Sequence, residues 1–234
     1  MNKQSNIYTT IYIIVLVLIV GTALAVTSLS LRSRQQANID ADKMRQILAA
    51  VHITPDASDV IADFNKYIVA QKVVNAAGDT IPGDAFTIDV AAQVKLADSE
   101  RSLPVYICRL ADSDIKYILP AYGAGLWGPI WGYVALDSDG STIYGAYFAH
   151  QGETPGLGAE IEKPAFSDKF NGKHLFKDGE FLPVAVVKAG QRPAGNEDYV
   201  DGVSGGTITS KGVSDMLSNS LKPYESYLKN ISRK

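Results

Sequence analysis

A single cysteine, Cys108, in 234 residues rules out an intramolecular disulfide, and it rules out a cysteine-ligated cluster or cysteine-rich zinc site built by this chain alone. Histidine is nearly as scarce. His52, His150 and His174 are scattered, and none pairs with another at metal-ligand spacing, so no metal site is expected. An excess of positive charge is missing too: 22 Lys and Arg against 25 Asp and Glu leave a net charge of −3, which gives no footprint for nucleic acid. The glycine stretches lack a Walker lysine and lack the two spaced glycines of a dinucleotide fingerprint, which excludes the usual nucleotide-binding loops. Internal repeats and low-complexity linkers are absent. Any redox cofactor must therefore be organic, or be held jointly with another subunit.

Charge is missing altogether from residues 4–31, and residues 11–26 are apolar except for Tyr12, Gly21 and Thr22. That run exceeds the roughly 20 residues needed to cross a bilayer. The alternative is a cleaved signal peptide, whose apolar core is usually only about 7–15 residues. Ala23-Leu-Ala25 would serve as its small-residue cleavage site, but the length favours a retained anchor. The division expected is an anchor at residues 1–34 and one domain at 35–234, with a helical stalk region at 41–68. Lys3 lies before the anchor and Arg32 and Arg34 after it, so the positive-inside rule alone places the domain in the cytoplasm.

Met44, Ile47, Leu48 and Val51 recur at helical spacing, and Val60, Ile61, Phe64 and Ile68 mark a second short helix after the Pro55-Asp56 break. Residues 86–96 and 103–110 read as strand-like runs. Asp137-Ser-Asp139-Gly140 is a hairpin turn between strands at 134–136 and 142–149. Residues 181–188 read as one strand, with Pro183 arguing for a sheet edge. Val213, Met216, Leu217 and Leu221 form the apolar stripe of a helix stopped by Pro223. The fold class expected is α+β, with a mostly antiparallel sheet.

Three stretches carry the chemistry. The first is Asp201-Gly-Val-Ser204-Gly205-Gly206-Thr207-Ile-Thr209-Ser210, where two glycines precede three hydroxyls at the start of that helix. The free N–H groups and partial positive charge of a helix N-terminus suit an anion such as a phosphate. An ordinary glycine turn with a Ser/Thr cap has the same pattern. The second stretch is Gly125-Leu126-Trp127-Gly128-Pro-Ile-Trp-Gly132, where glycines flank large aromatics. It suits a planar ring, or a tight turn packed beneath a sheet. The third is Glu153-Thr154-Pro155-Gly156-Leu157-Gly158, a tight turn that exposes amides around one leucine, or else a plain surface loop. His150 reads as a structural histidine.

Asp201-x-x-Ser204-Gly205-Gly206-Thr207 resembles the flavinylation motif Asp-x-x-Ser/Thr-Gly-Ala-Thr of the covalent FMN-binding domain family, departing only in Gly206 for Ala. With the other two stretches in the same order, the chain is similar to the C-subunit family of bacterial Na⁺-translocating NADH:quinone reductases, although residues 69–110 match only loosely. The resemblance implies one covalent FMN per chain, esterified through its phosphate to Thr207 by a separate flavin transferase that uses FAD and releases AMP. It implies cofactor contacts from Asp201, Ser204, Gly205, Gly206, Thr209, Glu153, Thr154, Gly156, Leu157, Gly158, Leu126 and Trp127. Thr209 and Ser210 are the fallback acceptors. No base stands beside Thr207 in the sequence, so the residue fits a passive acceptor modified by another enzyme.

The resemblance further implies an electron relay, from an iron–sulfur centre held in the membrane to a flavin on the B subunit, with the B, D and E subunits as partners. It places the domain on the outer, periplasmic face of the inner membrane, against the charge rule, and that placement is the one expected. Two alternatives stand: the G subunit of the ion-translocating ferredoxin:NAD⁺ oxidoreductase complex, and a membrane-anchored ligand-binding module without redox chemistry.

Overall fold

A computed structural model describes residues 6–111 and 114–232. It divides into two compact units, Met1–Lys43 and Met44–Lys234. The first is the leading part of one helix, α1 (Asn6–Ala49), which is long and apolar enough to cross a membrane. The stretch around residues 41–51, expected to be a helix following directly on the anchor, continues α1 without a break, because no Pro or Gly interrupts the chain between Gly21 and Ala49.

The second unit holds the expected short helix α2 (Val60–Tyr67), then β1 (Ile68–Val74), β2 (Thr80–Ile81) and the single turn α3 (Val90–Gln93). The strand expected at residues 86–96 does not form. Asp84 and Asp89 turn their carboxylates onto the amides of Phe86 and Ala92, and those local bonds favour turns over a ladder. There follow β3 (Leu103–Ala111), β4 (Asp114–Ala124), β5 (Pro129–Leu136) and β6 (Ile143–His150). Together they make a six-stranded antiparallel sheet in the order β2-β1-β3-β4-β5-β6. The expected β5–β6 hairpin is present. Gly140 turns it at φ +68, and the Asp139 carboxylate accepts from Ser141 N, Thr142 N and Thr142 Oγ1.

Side chains alternate between the two faces with the strand period of two. Tyr106, Cys108, Ile118, Tyr133 and Ala135 join a core closed by Ile47 and Leu48 of α1 and Phe64 of α2. Val105, Leu119, Ala121, Val134 and Leu136 join the opposite core. That second core is covered by α4 (Pro164–Ser167), α5 (Thr207–Leu221) and α6 (Glu225–Ser232). Burial pushes the Cys108 thiol up to about 12, with the Asp114 charge adding to the shift, so the lone cysteine is a core residue and not a nucleophile.

Two small ladders complete the unit: β7 (Phe176–Lys177) with β8 (Glu180–Phe181), and β9 (Ala185–Val187) in parallel with β10 (Tyr199–Asp201). The strand expected at residues 181–188 is thus broken in two. Pro183 lacks the N–H that would continue a ladder, and β9 instead takes β10 as its partner.

Helix α5 positions the motif. Val213, Met216, Leu217 and Leu221 are buried on its sheet-facing stripe. Near its end Ser220 Oγ accepts from Tyr122 N at 3.0 Å and donates to the Tyr122 carbonyl at 3.2 Å. Gly212 lets the helix backbone pass directly over the Ala124 carbonyl at the end of β4, where a Cβ would collide. The N-terminus of α5 is therefore held beside the turn that follows β4. Pro223 ends α5 at a 3₁₀ turn (Lys222–Tyr224), and the chain resumes helically in α6.

Candidate functional site

Three loops meet at the N-terminus of α5. The β4–β5 turn is closed by Gly125 N donating to the Gly128 carbonyl at 2.8 Å, leaving Leu126 and Trp127 47% and 68% exposed. This stretch forms a tight turn at the sheet's end and not beneath it, with its two large side chains turned outward. The second loop begins at Glu153 just after β6 and turns at Gly156, φ +77, with Leu157 N donating to the Thr154 carbonyl at 3.1 Å. The third is the loop from β10 into α5, where Gly205 takes φ +76, a conformation that costs glycine little and other residues much. Gly206 N donates back to the Val203 carbonyl at 3.0 Å, and Val203 N donates to Ser210 Oγ at 2.9 Å.

These bonds separate the three hydroxyls of the motif. Ser210 is buried and accepts from Val203 N. Thr209 is buried and donates to Glu153 Oε2 at 2.5 Å. Thr207 is exposed at the first helical position, and its hydroxyl has no hydrogen-bond partner among the described residues. The amides of Thr207, Ile208 and Thr209 open the helix, so they lack acceptors within it and point their partial positive charge past that hydroxyl.

Thr207 lies between two clefts. One, of about 340 Å³, is lined by Leu126, Trp127, Glu153, Thr154, Leu157, Gly158, Gly205, Gly206, Thr207, Ile208 and Thr209. The other, of about 330 Å³, lies on the β9 side and includes Lys188, Gln191, Ser204, Ser210 and Lys211 over a floor of Val186, Val187 and Val203. Most of the sequence-expected residues thus meet in the first cleft, whose mouth is apolar: Leu126, Trp127, Leu157 and Ile208 are all large and exposed.

Three expected residues stand apart from that cleft. Ser204 lines the second one. Gly156 turns its amide to Glu160 Oε1 at 3.1 Å. Asp201 is engaged with its own loop, its carboxylate accepting from Gly190 N at 3.3 Å and its carbonyl from Lys169 Nζ at 3.1 Å. Sequence reasoning missed Ile208, although an apolar residue between hydroxyls in the first turn of a helix was the available signal. It also missed Lys188, Gln191 and Lys211, which no pattern connects. His150 is structural as expected: its Nδ1 accepts from Glu153 N at 3.1 Å, and its Nε2 lies 3.6 Å from Glu162.

The residues present fit a phosphate-tethered planar cofactor. There is an unpartnered hydroxyl at a helix N-terminus, two glycines directly before it, and an adjacent apolar slot of the size of a ring system. The FMN-binding domain family matches residues 125–222, from the β4–β5 turn to the end of α5. The C subunit of the Na(+)-translocating NADH-quinone reductase of Vibrio vulnificus YJ016 is 36% identical over 230 residues, covering 91% of this chain and 90% of that one. Its counterpart from Haemophilus ducreyi is 30% identical, covering 95% and 94%. Among solved structures, the C subunit from Parabacteroides distasonis is 52% identical with a TM-score of 0.79, covering 85% of this chain and 96% of that one. Shewanella oneidensis NqrC, at 23% identity and a TM-score of 0.71, shares the fold. The chain belongs to the C-subunit family of Na⁺-translocating NADH-quinone reductases.

Proposed function

We propose that this chain is the covalent-FMN electron-relay subunit of a Na⁺-pumping NADH:quinone reductase, with one FMN esterified through its phosphate to Thr207. The observation that carries this reading is the exposed, unpartnered Thr207 hydroxyl at the mouth of an apolar cleft, beside two hydroxyls that are buried and engaged. Among the described residues no general base contacts Thr207, which supports modification by a separate flavin transferase. Asp201, exposed on the strand before the motif, is the residue we assign to recognition by that enzyme.

When bound, FMN supplies one- and two-electron transfer, which suits a relay between an iron–sulfur centre in the membrane part of the complex and a flavin on a neighbouring subunit. The chain's own residues hold and cover the group. The free amides of α5 would hold the phosphate, and Leu126, Trp127, Leu157 and Ile208 would cover the ring and keep water from it. Residues 1–34 act as a single-pass anchor in the bacterial inner membrane, with residues 35–234 on the periplasmic face, and the B, D and E subunits are the neighbours. The family relationship supports that assignment.

The test is a denaturing gel viewed under ultraviolet light, on chain exported by its native route with a flavin transferase present. A fluorescent band at 25.2 kDa is expected, and it disappears in Thr207→Val. A dark band despite confirmed export and transferase activity, or a band that survives Thr207→Val, refutes the attachment.

A further inference from the structure

One carboxylate ties together all three loops that wall the ring cleft. Glu153 Oε1 accepts from Trp127 N in the β4–β5 turn at 2.8 Å, and Oε2 accepts from Thr209 Oγ1 in the first turn of α5 at 2.5 Å. Its own backbone belongs to the third loop, anchored through Glu153 N to His150 Nδ1. Glu153 is only 4% exposed and has no ion pair among the described residues, so these two neutral donors are what satisfy a buried charge. Neighbouring residues make way for it. A Cβ on Gly125 would lie 2.5 Å from Oε1, and one on Gly158 would run into Oε2 and Thr209 Oγ1.

We propose that Glu153 is the positioning residue of the cleft: seating of the flavin ring depends on its two hydrogen bonds, whereas attachment at Thr207 does not. The proposal rests on the FMN reading above. The split follows from where the bonds run. The turn that presents Thr207 is fixed by Gly206 N to the Val203 carbonyl and by Val203 N to Ser210, bonds in which Glu153 takes no part. The walls of the cleft have local bonds of their own, Gly125 N to the Gly128 carbonyl and Leu157 N to the Thr154 carbonyl, but those bonds stay within each loop, and Glu153 is what joins one wall to the next. Trp127 is 68% exposed, and its amide is held by Glu153.

Gln is the informative substitution. Its carbonyl oxygen accepts from Trp127 N, and its NH₂ donates to Thr209 Oγ1 once that hydroxyl turns to accept, so both bonds survive without the charge. Ala removes both and leaves the part-buried Trp127 amide and the buried Thr209 hydroxyl without these partners. The experiment uses the full-length chain matured with flavin transferase. Gel fluorescence reads attachment, and flavin fluorescence anisotropy with iodide quenching reads seating in the native protein.

Wild type and Glu153→Gln should carry the band and hold the ring alike. Glu153→Ala should carry an equal band while its anisotropy falls and iodide quenching rises about threefold, as expected when a ring face loses its cover. Thr209→Val, which removes one bond and keeps the glutamate, should lie between, and it carries the test if Glu153→Ala fails to fold. A ring held in the Ala and Val variants as in wild type overturns the proposal. So does a ring in Glu153→Gln as mobile as in Ala, or loss of the band in a folded Glu153→Ala. A dark wild-type chain would instead be the failure of the FMN reading. The unloaded protein then still decides the positioning role, by faster amide exchange at Trp127 in the Ala variant but not in Gln.

Discussion

Asp198 fixes the approach to the strand that leads into the motif. Its Oδ2 accepts from His174 N at 2.8 Å and lies 3.2 Å from His174 Nδ1, while its Oδ1 accepts from Lys177 Nζ at 3.0 Å. Burial alone would raise its pKa, but the bonds from Lys177 and His174 outweigh burial and hold the carboxyl below the ordinary carboxylate value. A depressed folded pKa means a contribution fully present above the unfolded value of about 3.9 and lost as pH falls through the folded value. Asp139 is depressed in the same direction by its bonds to Thr142 and Ser141, again against burial, so both groups act in the same acid window. The expected result is that Asp198→Asn costs about 1 kcal/mol at neutral pH. Its penalty should shrink steadily below about pH 4 as wild type loses the same interactions. Urea melts of both proteins at pH 7, 4 and 2.5 check this, and a penalty equally large at pH 2.5 would remove Asp198 from the account.

At the scale of elements, the contact between α5 and the end of β4 decides where Thr207 stands, and at Gly212 it leaves no room for a Cβ. Two effects oppose each other there. Ala in place of Gly inside a helix gains about 1 kcal/mol of propensity. The new Cβ, however, would collide with the Ala124 carbonyl, a backbone atom that cannot swing aside, and overpacking of that kind costs about 1–3 kcal/mol. The collision wins, so Gly212→Ala is expected to lower stability by about 1 kcal/mol. A thermal melt reads it, and a raised Tm would mean that the helix lifts freely from the sheet. The sequence announced α5 clearly through the spacing of Val213, Met216, Leu217 and Leu221, but it did not announce this contact, because a helical glycine carries no pattern that names its neighbour.

The same division runs through the site. Residues whose role is local to a loop were legible: the tight turns at Gly205 and Gly156, and the hairpin turn at Asp139-Gly140. Roles set across the fold were not. The engagement of Thr209 depends on Glu153, 56 positions earlier, and the division of residues 181–188 depends on β7 pairing with β8 and on β10 arriving as the parallel partner of β9. Residues 86–96 misled for a different reason. Their strand-like composition was overruled by side-chain bonds from Asp84 and Asp89, which act within three residues.

At the scale of the whole molecule, the chain contains two kinds of surface. In the Met1–Lys43 unit the apolar side chains from Ile11 to Leu31 are exposed all around the helix, whereas the Met44–Lys234 unit buries its apolar residues in two cores. A helix apolar on every side is stable only where its surroundings are apolar too, as in a bilayer. The second unit has no such need, and Met44, Ile47 and Leu48 of α1 belong to its own core. A fragment beginning at Met44 is therefore expected to fold and remain in the supernatant after ultracentrifugation, with a Tm within about 2 °C of the full chain's domain transition. The full chain is expected to pellet with membranes and to resist carbonate extraction. A full chain found in the supernatant with an N-terminus just after Ala25 would instead mean that residues 1–25 are a removed leader, and the single-pass anchor would have to be abandoned.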